Sequence, residues 1–299
     1  MAKSSFRCFI EENSLLRLNQ NCRAKLTTSH LYCLGGKDRN GDLLSSVSKW
    51  EISSQKWRKR ADMFVPKCDF NATVIGNKIY SGGGWIENRR TNDMYVYNCQ
   101  QNIWKQLSPM KKKISDFGMA SLGEFVYVAG GKDNSGSVLS SVERYCPKSD
   151  TWNTIKSMNE QRISLQLVSL NGYLYAIGGD QTNTVERYNP ETENWIFLPN
   201  MINFHGFLSA TTMNDCIYVL SEDGFEMFHV KTNNWTSLPH LQFCWGTNIV
   251  SICDKLLTIG GCGKATKSVF EYDTYRQIWK ALPDMDIERI WHCSVVVNY

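Results

Sequence analysis

The sequence predicts an all-β fold, a ring of six four-stranded blades closed as a β-propeller, on three observations. A strand-like apolar run ending in Gly-Gly recurs at Leu31 to Gly36, Ile79 to Gly84, Val126 to Gly131, Leu174 to Gly179 and Leu256 to Gly261; a sixth copy, Ile217 to Glu222, lacks the glycines. Downstream of each copy an aromatic is followed seven residues later by tryptophan: Trp50 and Trp57, Tyr97 and Trp104, Tyr145 and Trp152, Tyr188 and Trp195, Phe228 and Trp235, Tyr272 and Trp279. The tryptophans that end these pairs stand 40 to 48 residues apart, the period of a propeller blade and well beyond a leucine-rich or ankyrin unit.

Each part of the repeat has a physical reading. Val126-Tyr127-Val128-Ala129 is β-branched, aromatic or small, as a buried strand near the middle of a blade requires. Two glycines then let the backbone turn sharply beside neighbouring strands. The next strand, as in Ser141 to Tyr145, alternates faces, and a polar turn such as Asn189-Pro190-Glu191-Thr192 leads into the outermost strand with its tryptophan. One such pair of large aromatics per blade supplies much of the packing between blades, so the twelve are assigned to the core.

The ring needs its two end blades joined, or it leaves open sheet edges. Innermost strands are expected just ahead of each Gly-Gly strand, at Asp69 to Ile75, Asp116 to Leu122, Ile163 to Leu170, Phe207 to Met213 and Thr247 to Cys253. No comparable segment precedes Leu31, whereas Met285 to Arg289 introduces Ile290 to Val297, so the C-terminal strand is expected to complete blade 1. Residues 24–299 are then the propeller, and Met1 to Arg23 a tether holding at most a short helix around Ser14 to Leu18.

Composition narrows the function classes. The 33 basic and 29 acidic residues leave a formal charge of +4, and the one basic run, Lys111 to Lys113, is short, so neither nucleic acid nor an anionic membrane is announced. Eleven cysteines show no C-x-x-C pair or metal-finger spacing, and Lys3, Arg7 and Cys8 interrupt the N-terminal segment where a signal peptide needs an apolar stretch. A reduced, soluble protein of the cytoplasm or nucleus is expected.

Leu-Tyr-Ala-Ile-Gly-Gly at 174 to 179 and Val-Glu-Arg-Tyr-Asn at 185 to 189 carry a specific resemblance: from about Ala24 onward the chain resembles the kelch repeat. Repeat five departs from it, because Ser221 and Glu222 replace the glycines. The repeats most resemble the C-terminal domain of kelch-like (BTB-BACK-kelch) proteins, which implies a protein-interaction module that recognises ubiquitin-ligase substrates for cullin-3. The roughly 23 residues ahead of the propeller are too few for BTB and BACK domains, so cullin engagement by the usual route is not expected of this chain. The alternative the resemblance allows is a scaffold that binds actin.

Recognition is expected on loops held by the rigid blades. One class follows each Gly-Gly and offers Lys37, Arg39, Trp85 and Lys132; the other leads into the innermost strands and offers Lys67, Arg162, His205, Trp245, Arg289 and Trp291. Trp85, Trp245 and Trp291 lie outside the seven-residue pairing, so blade packing does not explain them. Arg162 and Arg289 each stand four residues after a methionine, Met158 and Met285, where the resemblance implies arginines that grip acidic peptides. A monomeric ring that binds a protein or peptide on this face, with no cofactor, is the expectation. An enzyme, such as the copper oxidase with a kelch-like ring, needs converging His or Cys ligands, and the five histidines with Cys68 make a thin set. No G-x-S-x-G, P-loop or H-E-x-x-H motif occurs.

Overall fold

Every apolar run identified above forms the second strand of a four-stranded antiparallel sheet, and there are six such sheets. The computed structural model describes residues 29–52, 54–204, 206–241, 246–261 and 264–299. The tether expected at Met1 to Arg23, with its helix, lies outside them. Blade 2 consists of Asn71–Ile75, Lys78–Gly82, Met94–Asn98 and Ile103–Gln106, running outward as a meander. Blade 3 follows with Gly118–Leu122, Phe125–Ala129, Val142–Cys146 and Thr151–Ile155, and blade 4 with Gln166–Leu170, Tyr173–Ile177, Val185–Asn189 and Asn194–Leu198. Blade 5 is Ser209–Met213, Cys216–Leu220, Phe225–His229 and Asn234–Leu238; blade 6 is Asn248–Ile252, Lys255–Ile259, Val269–Asp273 and Ile278–Leu282. Second strands are covered on both faces, which is why they read as continuous apolar runs rather than alternating ones.

Blade 1 is closed by the C-terminus, as the sequence predicts. Cys293–Asn298 lies inside Ser29–Leu34, Val47–Glu51 and Lys56–Arg60, in antiparallel register from Leu34↔Cys293 to Ser29↔Asn298. Ser29 Oγ donates to Asn298 Oδ1 at 2.7 Å, tying the two ends by side chains as well. Innermost strands start about two residues later than expected. Asp69, Asp116 and Trp291 sit at φ of 51°, 58° and 52°, outside the strand region, and form a turn instead. That turn has its own bonds: Asp69 N–H donates to Trp291 O, Asp116 N–H to Asp69 O and Ser164 N–H to Asp116 O, a belt passing from blade to blade.

Between adjacent blades lies one apolar cluster per seam, six in all. Each predicted aromatic pair is in contact, with ring centroids 4.8 to 5.1 Å apart. The tryptophan also reaches back to the preceding blade: Trp104 Nε1 donates to Ala61 O, Trp152 to Ser108 O, Trp195 to Lys156 O, Trp235 to Pro199 O and Trp279 to Pro239 O, at 2.9 to 3.0 Å. Trp57, across the closure seam, is the exception among these residues, with its buried Nε1 lacking a partner. The glycines at the strand ends are required by close approach. At Gly131, φ is +90° and a Cβ would stand 2.7 Å from Ser115 O and Phe117 Cβ of the same blade's entry. Repeat five manages without the pair through a tight turn, in which Ser221 N–H donates to Gly224 O.

Candidate partner-binding face

The loops after the second strands and the loops leading into the innermost strands emerge on the same, upper face, because an antiparallel meander returns both to one end. At its centre the channel mouth, about 110 Å³, is lined by Asp69, Asp116, Ser164, Phe207 and Trp291. Below, it widens into a cavity of about 630 Å³ lined by hydroxyls of Thr73, Ser121, Ser169, Thr211, Ser251 and Ser294. Burial raises the Asp69 carboxyl to about 6; the Cys68 thiol that donates to it at 3.0 Å opposes the rise and Asp116 adds to it. Asp116 is likewise raised by burial, against the hydrogen bond from Ser115.

Five predicted residues reach this face. Lys37 pairs with Ile290 through the backbone and holds its ammonium 5.0 Å from the centre of the Trp291 ring. Arg39 forms a two-point ion pair with Glu288. Trp85 faces Arg90 across a short hairpin, Trp85–Ile86 against Arg89–Arg90, and the guanidinium stacks 4.4 Å from its ring. Lys132 pairs with Ser115. His205 and Trp245 lie outside the described residues.

Lys67, Arg162 and Arg289 are corrected by the structure: none is presented to a ligand. All three are essentially inaccessible, at 0–1% exposure. Arg162 and Arg289 are drawn in by carbonyls at the strand end that needs glycine, Gly178 O with Thr184 O and Gly35 O with Ser46 O, and Lys67 by the Asp93 carboxylate. Arg162 Nη1 donates to Gly178 O and Thr184 O, both at 2.9 Å, while Nε and Nη2 grip Glu186 Oε1 at 3.2 and 2.9 Å. Arg289 Nη1 donates to Gly35 O at 2.7 Å and Ser46 O at 3.1 Å. With no carboxylate in direct contact, its Nη2 donates to Ser48 Oγ, which in turn donates to Asp286. Burial accordingly pulls that guanidinium below its ordinary value. Lys67 binds Asp93 at 3.0 Å and lies 5.1 Å from the Tyr95 ring centre. These cations fasten one blade to the next.

His292 is also internal. It takes the seam position held by Phe70, Phe117, Leu165 and Leu208 elsewhere, and neither ring nitrogen has a partner. Burial, and then the nearby Arg289 charge, hold it down to about 3, so the ring is neutral. Among the described residues no three His, Cys, Asp or Glu gather as a metal site would need.

Several upper-face residues went unread in the sequence. Phe64, Ile202, Phe204 and Phe207 are 49–64% exposed in the loops that enter the innermost strands. Their signal was available: like the three singled-out tryptophans, they stand outside the seven-residue pairing. Arg89, Arg90 and the Lys111 to Lys113 run meet only because Ile114–Ser115 pairs with Lys132–Asp133 and Arg90 Nε donates to Ser115 Oγ at 2.8 Å. A short basic run alone does not announce that gathering.

Comparison with known proteins agrees with this architecture. Residues 17–179 match the family described as KLHDC2/KLHL20/DRC7 Kelch-repeats domain, and residues 162–202 and 246–286 match the Kelch motif. The chain is 31% identical over 171 residues to Kelch repeat and BTB domain-containing protein 1 of cowpox virus (strain Brighton Red), covering 55% of this chain and 30% of that protein. It is 32% identical over 163 residues to protein A55 of the same description from vaccinia virus (strain Western Reserve), covering 53% and 29%. Beta-scruin of Limulus polyphemus is 32% identical over 141 residues, covering 45% and 15%. The matched region thus spans less than a third of the length of these relatives. A solved structure described as "Structure of YjhT" superposes with a TM-score of 0.68 at 15% identity, covering 77% of this chain and 87% of that one, a likeness of fold.

Proposed function

This chain belongs to the kelch-repeat family, and from that premise we propose that it recognises another protein with the upper face of its propeller. One observation carries the reading. Large aromatics outside the seven-residue pairing, the exposed Phe64, Phe204 and Phe207 and the half-buried Trp85 and Trp291, all lie on loops of the one face that surrounds the channel mouth. Trp and Phe give large contact area for little lost side-chain freedom, and a closed ring holds their loops in place before binding. Exposed apolar residues elsewhere lie on outermost strands, Ile103 and Ile278 singly and Ile196 beside Phe197.

The partner class is a ubiquitin-ligase substrate, on the likeness to BTB-kelch proteins. Attachment to actin is the competing class. Affinity capture from lysate followed by mass spectrometry tests the face, comparing the full chain with Trp85→Ala/Phe204→Ala/Phe207→Ala and with a lower-face control, Lys78→Glu/Lys255→Glu. Loss of partners from the triple variant alone, with its melting curve retained, is the expected result. An unaltered partner profile refutes the reading, and cosedimentation with filamentous actin assigns the competing class.

A further inference from the structure

The innermost strand of blade 1 is held differently from the other five. In blades 2 to 6 a two-residue turn joins the innermost strand to the second, as from Leu122 to Phe125 and from Leu170 to Tyr173, so neither strand leaves without the other. Blade 1 has no such turn. Cys293–Asn298 meets Ser29–Leu34 from the far side of the chain, 269 residues separating Ser29 from Asn298, and only hydrogen bonds and packing keep it in place. Asn248 of blade 6 contributes two of those bonds, accepting Ser294 N–H at 3.0 Å and donating to His292 O at 3.1 Å.

The same blade gathers the unmet hydrogen-bonding groups of the interior. Among the described residues, six of the ten buried side-chain nitrogen and oxygen atoms without a partner belong to blade 1 or to the segment entering it. They are His30 Nδ1, Ser46 Oγ, Trp57 Nε1, Arg289 Nε and both ring nitrogens of His292. Two of the other four are partly answered, since the Arg144 and Arg187 guanidiniums lie 4.7 and 4.5 Å from the Phe125 and Tyr173 ring centres. A buried polar group with no partner has given up its bond to water, so each one favours a state that water can reach. His292 is the clearest case, wedged between Gly260 of blade 6 and Gly36 of blade 1 in the seam that the C-terminal strand closes.

We infer that the C-terminal strand is a latch: Cys293–Asn298 leaves blade 1 as a unit, wetting the orphaned groups of the seam, while blades 2 to 6 stay folded. Partial openings of this kind occur where a structure is least supported. Two thiols report on it. Cys33 and Cys293 are buried on the two paired strands, and burial pushes the first up to about 11 and the second up to about 12, so the closed ring shields them from reagents that need a thiolate. Release bares both thiols, together with the hydrogen-bonding edge of Ser29–Leu34.

The test is hydrogen–deuterium exchange of the full chain at neutral pH, read by mass spectrometry beside alkylation with iodoacetamide. Cys293–Asn298 is expected to exchange at least tenfold faster than Gln166–Leu170, the innermost strand of blade 4. Cys293 is expected to alkylate at least tenfold faster than Cys216, which is buried in blade 5. Ser294→Cys supplies the lock, because Cys33 Sγ lies 3.5 Å from Ser294 Oγ and the two residues are register partners. Its oxidised form should slow exchange of the strand to the blade 4 rate, and reduction should restore it. His292→Leu, which removes two of the orphaned atoms, should slow both exchange and alkylation without a clamp. The inference is overturned if the closing strand of the parent exchanges no faster than that of blade 4. It is equally overturned if the oxidised lock leaves exchange unaltered, or if Cys216 reacts as fast as Cys293, since the ring would then be opening everywhere at once.

Discussion

Replacing Arg162 by alanine removes a guanidinium that donates to two backbone carbonyls, to Thr184 Oγ1, to Glu160 and twice to Glu186, which is itself inaccessible. Breaking a buried pair from one side costs about 3–5 kcal/mol, because the remaining charge stays behind in the low-dielectric interior. Glu186 keeps three other donors, Asn159 N–H, Asn159 Nδ2 and Glu160 N–H, so the loss falls at the lower end, about 3 kcal/mol. At roughly 2–4 °C per kcal/mol for a chain of this order of size, the thermal midpoint drops by about 6–12 °C. Arg162→Lys keeps the charge but not the fork, and falls between the two. Circular dichroism melts and urea unfolding measure both variants. A folded Arg162→Ala within about 1 kcal/mol of the parent that loses its partner would refute this reasoning, since it would mean that the arginine faces a ligand rather than the next blade.

Further consequences follow from the same structure. Deleting Arg289 to Tyr299 removes the strand paired along Ser29–Leu34 and opens a sheet edge, so the truncation is expected to aggregate or melt far below the parent; an unchanged melt contradicts the closure. Asp69, raised to about 6, holds a proton in the folded state that the unfolded chain releases near 4, so its contribution is full below about pH 4 and is lost as pH rises through 6. Asp69→Asn, which also tolerates φ of 51°, should gain on the order of 1–2 kcal/mol at pH 7 and nothing at pH 4 in urea titrations; an equal effect at both pH values contradicts it. His292 has the opposite sign. Held down to about 3, it leaves the unfolded chain binding more protons below about pH 6.5, and stability is lost as pH falls. His292→Leu, matching Leu165 and Leu208 in their seams, should flatten that loss by about 2–3 kcal/mol at pH 4.5; an unchanged acid slope removes the histidine as its cause.

Much of this fold is legible in the sequence because its information is local and repeated. Gly-Gly, the tryptophan seven residues after an aromatic, and the lead-in at Met285 lie within single repeats, so each blade reports itself and the last announces the missing strand. The interior cations were not legible. A loop position says that Arg289 lies near the upper face, but its partners are Gly35, Ser46 and Ser48, more than 240 residues away across the closure. Arg162 and Glu186 stand only 24 residues apart, yet nothing local distinguishes a side chain folded into its own seam from one pointing outward. The neighbourhood of Arg90 and the lysine run failed to show for the same reason: their loops are joined by Ile114 N–H donating to Thr91 O and Arg90 Nε to Ser115 Oγ, not by sequence spacing.

The recognition face itself is tested most directly by cross-linking a captured partner to the full chain with a lysine-reactive reagent and mapping the joined peptides. Lysines report from both ends: Lys37, Lys112, Lys113 and Lys132 above, Lys78, Lys148 and Lys255 below. Cross-links gathered on the first group are the predicted result; cross-links gathered on the second contradict it.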